Sequence, residues 1–424
     1  MAIGCILVCT VCCVITYLKD RRFLNPVFIY SLFWGLISFL ASLGLYGIYE
    51  TSDEAYFIVG IGVVCFAFGG MFIDKFRLNP EKSRNELNHV VFNIAVLLCA
   101  ICLIYNYKII WRLISGGFSA QQMYLLVAQT SGGEETIISE ANNLFELRLQ
   151  QYIAYPLLYT LVPIAIKYFI DTKKKYYLFV ALFFSIVRFA FDLKRTYLVI
   201  MIPYTLIILA TKFEVGSQLK KMKRSTKRKV VLSSVLFLGL FILISSIRKG
   251  ESYSLFDNLY HYYCACLPYF SRRLEMTDLT NYTFGFTSFR GLLAPIFAAF
   301  GLFGFGEPRL MTEATSFIQS LHDVILNVSP TYLFNSYGTV FLEFIKDGGI
   351  VGVILLSIIY GGTAQLYFKR MVKFGSRRDV IKYSYFLSTF ILLSVLHFNG
   401  VVVCYIWPIA LERLFYAKDT SGRK

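Results

Sequence analysis

Apolar residues along this chain neither alternate nor recur in narrow stripes. They run on for about 20 positions at a time, the length a helix needs to cross roughly 30 Å of hydrocarbon. Such runs fall near 2–18, 27–47, 56–73, 90–110, 153–170, 176–191, 196–211, 230–247, 349–368, 383–398 and 400–416. The pattern predicts an all-α polytopic integral membrane protein with about 11 transmembrane helices, organised as a single transmembrane domain over residues 1–424. The first run lacks the basic residues that precede a secretory signal core, so a true span is expected there. No internal repeat or low-complexity tract stands out.

Two further apolar segments are too short or too interrupted to be spans. Leu292 to Phe305 is broken by Pro295, Gly301 and Gly304, and Thr331 to Ile345 stops just before Asp347-Gly348-Gly349. Both predict re-entrant or interfacial helices.

Charge then orients the spans. Lys19, Arg21 and Arg22, the stretch from Lys75 to Arg84, Lys173 to Lys175, the basic loop 212–229, the stretch from Lys369 to Lys382 and the Lys424 tail all fall on one side, which the loop bias makes cytoplasmic. The N-terminus is then outside and the C-terminus inside. The outer segments are a short one at Glu50 to Glu54, a loop over 111–152 and a very large loop over 248–348, the last expected to form part of the active site.

Composition agrees with the bilayer as solvent: 57% of the 424 residues are hydrophobic, 16% are charged and mean hydropathy is +0.60, too apolar for a soluble multi-domain chain. About 27 of the 42 basic residues lie in the inner loops, so the net charge of +16 is a topology signal and nucleic acid need not be invoked. The run from Lys220 to Lys229 reads as a solvated orientation determinant. Of ten cysteines, eight sit inside apolar runs as small hydrophobes. Cys264 and Cys266 form a C-x-C pair with no nearby His or second pair, a poor metal signature, and read as packing residues.

The kind of cation changes across the membrane. Inner loops hold about 17 Lys and 10 Arg, whereas outer ones hold about 8 Arg and 3 Lys. The planar guanidinium suits bidentate phosphate recognition, and outward cations run against the orientation bias. Arg188 lies near the outer end of the sixth span, Arg195 in the tight turn after it and Arg248 at the end of the eighth, so adjacent hairpins would gather them at the outer interface. Arg272, Arg273, Arg290 and Arg309 are available from the loop above. Tyr253, Tyr260, Tyr262, Tyr263, Tyr269 and Tyr282 crowd one outer segment and could stack on sugar faces.

Several motifs resemble the Wzy-type O-antigen and capsular oligosaccharide repeat-unit polymerases. They are Asn25-Pro26 before an apolar span with Trp34, then Leu45-Tyr46-Gly47-Ile48-Tyr49; Lys194-Arg195; Leu267-Pro268-Tyr269-Phe270 with Thr283-Phe284-Gly285; and Asn335-Ser336-Tyr337-Gly338-Thr339 ahead of Asp347-Gly348-Gly349-Ile350-Val351-Gly352. Gly348 stands where the family usually carries an aromatic. The resemblance implies a bacterial plasma-membrane enzyme that joins undecaprenyl-diphosphate-linked oligosaccharides at the outer face into O-antigen, capsule or exopolysaccharide, with a chain-length regulator as an additional partner. Arg188, Arg195, Arg248, Arg272, Arg273 and Arg290 would then bind the diphosphate as it leaves.

Bond formation also calls for a base to take the proton of the acceptor sugar hydroxyl. Outer candidates are His322, Asp323, Asp347 and Glu251, with His261 and Glu313 behind them, and the His322-Asp323 region is favoured. No set of Asp, Glu and His has metal-ligand spacing, so a metal-independent glycosyltransferase without cofactor is expected. A lipid-linked oligosaccharide flippase or other transporter would bind the same anion without making a bond, and an O-antigen-type ligase would transfer a finished chain.

Overall fold

The computed structural model describes residues 1–78, 86–117, 149–192, 204–211, 255–276, 281–301, 303–330, 332–334, 338–392 and 409–416. Helices dominate, and a two-stranded ribbon pairs Leu326–Asn327 with Leu333–Phe334. Among the described residues three helices, Ala2–Asp20 (α1), Asp53–Asp74 (α3) and the segment Tyr152–Thr172, are long and apolar enough to cross a membrane. Shorter apolar helices accompany them, among them Pro26–Ser42 (α2).

Helices α2 and α3 start where a side chain takes up their first unpaired N–H groups. Asn25 caps α2, its Oδ1 accepting from Val27 N at 2.8 Å, and Pro26 follows at the first helical position, where its missing N–H costs nothing. Ser52 caps α3 ahead of Asp53 and Glu54, whose charges suit the positive end of the helix. Helix α2 is shorter than the apolar run 27–47 because the chain turns at Leu43 and Gly44 into a single helical turn at Leu45–Gly47.

Two cores hold the bundle. In the first, α2 and α3 pack against the long helix Val340–Phe374 (α11), with α1 laid against α2 and α3; the Tyr30 ring stacks on Phe66 at 3.9 Å, and Trp34 meets Phe341 at 5.0 Å. Small residues let α3 and α11 cross almost in backbone contact, since a Cβ on Gly69 would lie 2.1 Å from the Ile358 carbonyl oxygen, and one on Gly361 2.0 Å from that of Phe66. In the second core, His89–Ser115 (α4), Tyr155–Thr172 (α5) and Lys175–Asp192 (α6) enclose Phe92, Tyr159, Tyr168, Tyr177 and Phe184. Arg377–Ser388 (α12) joins the two, with the Tyr383 hydroxyl donating to the Leu24 carbonyl and Tyr385 packed in the second core. It begins six residues before the apolar run at 383 because Ser376 caps it, accepting from Asp379 N at 3.0 Å.

The outer surface of this bundle is apolar: α1 exposes Ile3, Leu7, Val11, Val14 and Leu18, and α6 exposes Phe179, Leu182 and Ile186. A water-facing helix would show the reverse.

The two ends differ. At one, basic residues meet acids and helix-end carbonyls: Lys19 lies 2.6 Å from Asp74, Arg377 2.9 Å from Asp171, Arg378 3.0 Å from Glu412 and Arg370 3.0 Å from Asp379. These are the stretches the charge bias grouped together. At the other end the N-terminal ammonium pairs with Asp53 at 2.9 Å, and a helical cap covers the turn between α2 and α3.

That cap fills much of the large loop: Leu255–Cys264 (α7), Cys266–Met276 (α8), Arg290–Gly301 (α9), Arg309–Asp323 (α10) and the ribbon. Tyr260 ties α7 down by donating to the Leu40 carbonyl at 2.6 Å and accepting from Leu45 N at 3.1 Å. Ser271 accepts from Ser52 N, and the Val328 carbonyl from Tyr49 N at 2.8 Å. The expected helix over Leu292 to Phe305 is α9; the one expected from Thr331 is the first part of α11, which begins at Val340.

Candidate functional site

Helix α11 is two helices in one. At Gly348 and Gly349 the backbone leaves helical geometry, with Gly349 at φ 62° and ψ −146°, a region essentially reserved for glycine. The half-helix from Val340 to Asp347 therefore ends with unsatisfied carbonyls. A turn at Thr283 to Phe289 supplies their donors: Thr283 N donates to the Lys346 carbonyl and Phe284 N to that of Asp347, both at 3.0 Å.

Asp347 completes this joint. Its buried carboxylate accepts from Thr283 Oγ1 at 2.7 Å, Thr287 N at 3.0 Å and Ser288 N at 2.9 Å. Proposed from sequence as a base, it is placed instead as the anchor of the turn leading into α9, its oxygens engaged by three donors. Thr283 stood in the Thr283-Phe284-Gly285 motif, but its bond to Asp347, and the parts of Thr287 and Ser288, had no signal in the sequence.

Three cations from different elements converge on α10. This helix buries Met311, Ala314, Phe317, Ile318 and Leu321 along one stripe. From α8, Arg273 donates through Nη2 to Ser320 Oγ at 3.3 Å; the residue is only 4% exposed and its Nε is enclosed without a partner. From the start of α9, half-buried Arg290 donates through Nε to Thr315 Oγ1 at 3.1 Å. From the half-helix, the buried Lys346 ammonium lies 5.6 Å from the centre of the Phe317 ring.

Burial pushes both arginine pKa values down, opposed at Arg273 by Tyr269 and at Arg290 by Tyr152 and Glu307. Both nonetheless stay charged, because no physiological pH deprotonates a guanidinium. Arg272, next to Arg273, faces elsewhere and lies over the Tyr49 ring at 4.7 Å.

Among the described residues no carboxylate lies within ion-pair distance of Arg272, Arg273 or Arg290, whereas Arg370, Arg377 and Arg378 at the opposite end each have one. A buried charge costs several kcal/mol unless paired. Arg272, Arg273 and Arg290 therefore lack, among the described residues, the carboxylate partner that Arg370, Arg377 and Arg378 each have.

His322 and Asp323 close α10, two and three residues beyond the Ser320 that Arg273 touches. The carbonyls of Leu321 and Val324, on either side of them, accept from the Tyr269 hydroxyl at 3.4 and 3.2 Å. The side chains of His322 and Asp323, and that of Arg188, lie outside the described residues, as do Glu251, Arg195 and Arg248. Arg309 is exposed and paired with Glu313 at 2.7 Å.

A second titratable group is held nearby in the cap. His261, 2% exposed, places Nδ1 2.6 Å from Asp257 Oδ1 and 2.9 Å from the Asp257 carbonyl, with its ring stacked 4.3 Å from Tyr332. An Nδ1–H donated to Asp257 leaves the lone pair on Nε2, which is enclosed without a partner. The i,i+4 spacing of Asp257 and His261 was visible in the sequence; the stacking on Tyr332 was not. Of the crowded tyrosines, Tyr260 and Tyr269 are buried anchors, while Tyr282 is 40% exposed.

Cys264 and Cys266 are buried and free, and no three of His, Cys, Asp and Glu group as a metal site among the described residues. Compared with known proteins, the chain matches no family model, no curated protein and no solved structure.

Proposed function

We propose that this chain is a multi-pass enzyme of a bacterial plasma membrane, with about 11 spans and its cap on the external face. It polymerises undecaprenyl-diphosphate-linked oligosaccharide repeat units into surface polysaccharide. The observation that carries this reading is the buried Arg273, with no carboxylate partner among the described residues, and Arg290 beside the same helix, set against the paired Arg370, Arg377 and Arg378 at the opposite end.

A diphosphate supplies the missing negative charge. Held against these guanidiniums, it leaves the donor sugar as an anion whose growing charge they stabilise, which is where preorganised donors lower a barrier most. The acceptor hydroxyl loses its proton to a base of the cap, His322 or Asp323, with the Asp257-held His261 as the described alternative. The oxygen freed of its proton attacks the anomeric carbon as the carbon–oxygen bond to the diphosphate breaks. Arg188, Arg195 and Arg248 are further diphosphate contacts on the sequence reading.

The break at Gly348 and Gly349 favours a second reading, a transporter of the same lipid-linked sugar, since discontinuous helices recur in transport proteins. Chromosomal Arg273→Lys and Arg290→Lys variants separate the two. The polymerase reading expects surface polymer to fall by roughly 100-fold while protein levels hold and single repeat units still reach the outer face, the size of effect typical of losing one oxyanion donor. Repeat units retained on the inner face would favour transport, and normal polymer in both variants would sink the diphosphate assignment.

A further inference from the structure

At the end of the bundle opposite the cap, the ends of α1 and α3 and the flank of α11 enclose an open groove of about 810 Å³. We propose that this groove binds the phosphate headgroup of an anionic phospholipid, a site separate from the cap.

The charges within the groove do not cancel. Asp74 is engaged by Lys19 at 2.6 Å and by the Gln365 amide at 2.8 Å, and Asp20 accepts from Asn25 Nδ2 at 2.6 Å. Lys369 is occupied by three carbonyls at the end of α3, those of Ile73, Asp74 and Phe76, and Lys373 donates to that of Leu78 at 2.7 Å. These two lysines neutralise the negative end of α3.

Arg22 and Lys75 are left over. Both line the groove, neither side chain makes a hydrogen bond or ion pair among the described residues, and Nη1 of Arg22 is enclosed without a partner. A guanidinium and an ammonium flanking one recess suit a phosphodiester.

The surroundings point to a lipid as the bearer of that phosphate. Leu18 and Phe23 on one side, and Met71, Phe72 and Phe76 on the other, are between 42% and 67% exposed, so apolar surface lies beside the groove. Acyl chains can lie along that surface while the headgroup stays with the cations. A freely diffusing phosphate would gain nothing from it. Basic pockets between helix ends on the cytoplasmic side are a recognised way of holding anionic headgroups.

The test uses the full chain in nanodiscs of phosphatidylcholine containing a minority of phosphatidylglycerol, with retained lipids counted by native mass spectrometry. Wild-type protein should retain phosphatidylglycerol selectively. The R22Q/K75Q double variant should lose about 30-fold in that preference, as expected for two cations at an anionic surface. Lys75→Gln alone, at an exposed position without a partner, should lose several-fold and covers the case in which the double variant does not fold.

Lys173→Gln with Lys174→Gln, at the α5–α6 turn outside the groove, should change nothing. Equal losses in that control would mean diffuse attraction and overturn the site, as would unchanged retention in Lys75→Gln and the double variant. Displacement of the lipid by millimolar inorganic phosphate would overturn the lipid as the ligand.

Discussion

Arg273 and Arg378 are both withdrawn from water, yet they are compensated differently. Arg378 is 3.0 Å from Glu412, itself 2% exposed, whereas among the described residues Arg273 has only the Ser320 hydroxyl. Removing each charge should therefore act in opposite ways. Arg378→Gln strands Glu412 and should destabilise by an amount approaching the roughly 3–5 kcal/mol of a broken buried pair, lessened because Lys382 remains 3.4 Å away. Arg273→Gln relieves an uncompensated charge and should leave thermal stability in detergent unchanged or higher while polymer is lost. A large fall in stability without loss of polymer would make Arg273 a structural residue.

Asp347→Asn replaces one carboxylate oxygen with an amide donor facing a backbone N–H, so it should cost about 1–3 kcal/mol, read as a drop in melting temperature. Burial pushes the Cys264 thiol up to about 12, so maleimide should not label it in the folded protein at neutral pH. That raised value means the folded state holds the proton more tightly than the unfolded thiol near 8.5. The contribution to stability is complete below about pH 8.5 and is lost as pH climbs toward 12, so alkaline titration should weaken the fold.

Among the elements, the crossing of α3 and α11 tolerates no side chain at its closest points. Gly361→Leu drives a Cβ to within 2.0 Å of the Phe66 carbonyl oxygen and should cost at least the roughly 1–3 kcal/mol of an overpacked core, seen as lost folded protein in membranes. At the break in α11 the neighbouring glycines should differ. Gly349→Ala must hold φ near 62° and meet the Tyr282 hydroxyl at 2.9 Å, whereas a Cβ on Gly348 meets nothing within 4 Å. Alanine should be tolerated at 348 and destabilising at 349.

These elements were legible in unequal measure. Uniformly apolar runs such as 56–73 marked α3, and Gly301 marked the end of α9, which starts at Arg290 and runs through Pro295. The Asp347-Gly348-Gly349 interruption located the break in α11. Helices α7, α8 and α10 went unread because a search tuned to uniform hydropathy passes over a helix that buries one stripe and wets the other. Ser320 and Thr315 were invisible for that reason, since they matter only once α10 turns them toward Arg273 and Arg290. The role of Asp347 depends on Thr283, Thr287 and Ser288, some 60 positions earlier in the chain, which no local pattern connects.

At the scale of the whole molecule, apolar side chains on the outer faces of α1, α3, α4 and α6 separate an end where Arg370, Arg377 and Arg378 each meet a carboxylate from a cap where Arg273 and Arg290 meet none among the described residues. The sequence anticipated this division through the distribution of Lys and Arg between the two sets of loops. It did not anticipate that Arg272 and Arg273, adjacent in sequence, would part, one over Tyr49 and one under α10. The division is what the proposed chemistry requires: a glycan-bearing diphosphate met outside the membrane by charge held ready for it.

The most direct test is deletion of the gene in its own host, with lipid-linked sugars of each leaflet resolved by mass spectrometry. Single repeat units accumulating on the outer leaflet, with surface polymer restored by the wild-type gene but not by Arg273→Lys, are the expected result. Repeat units trapped on the inner leaflet, or finished polymer accumulating on the lipid carrier, would contradict a polymerase and point to a transporter or a ligase in its place.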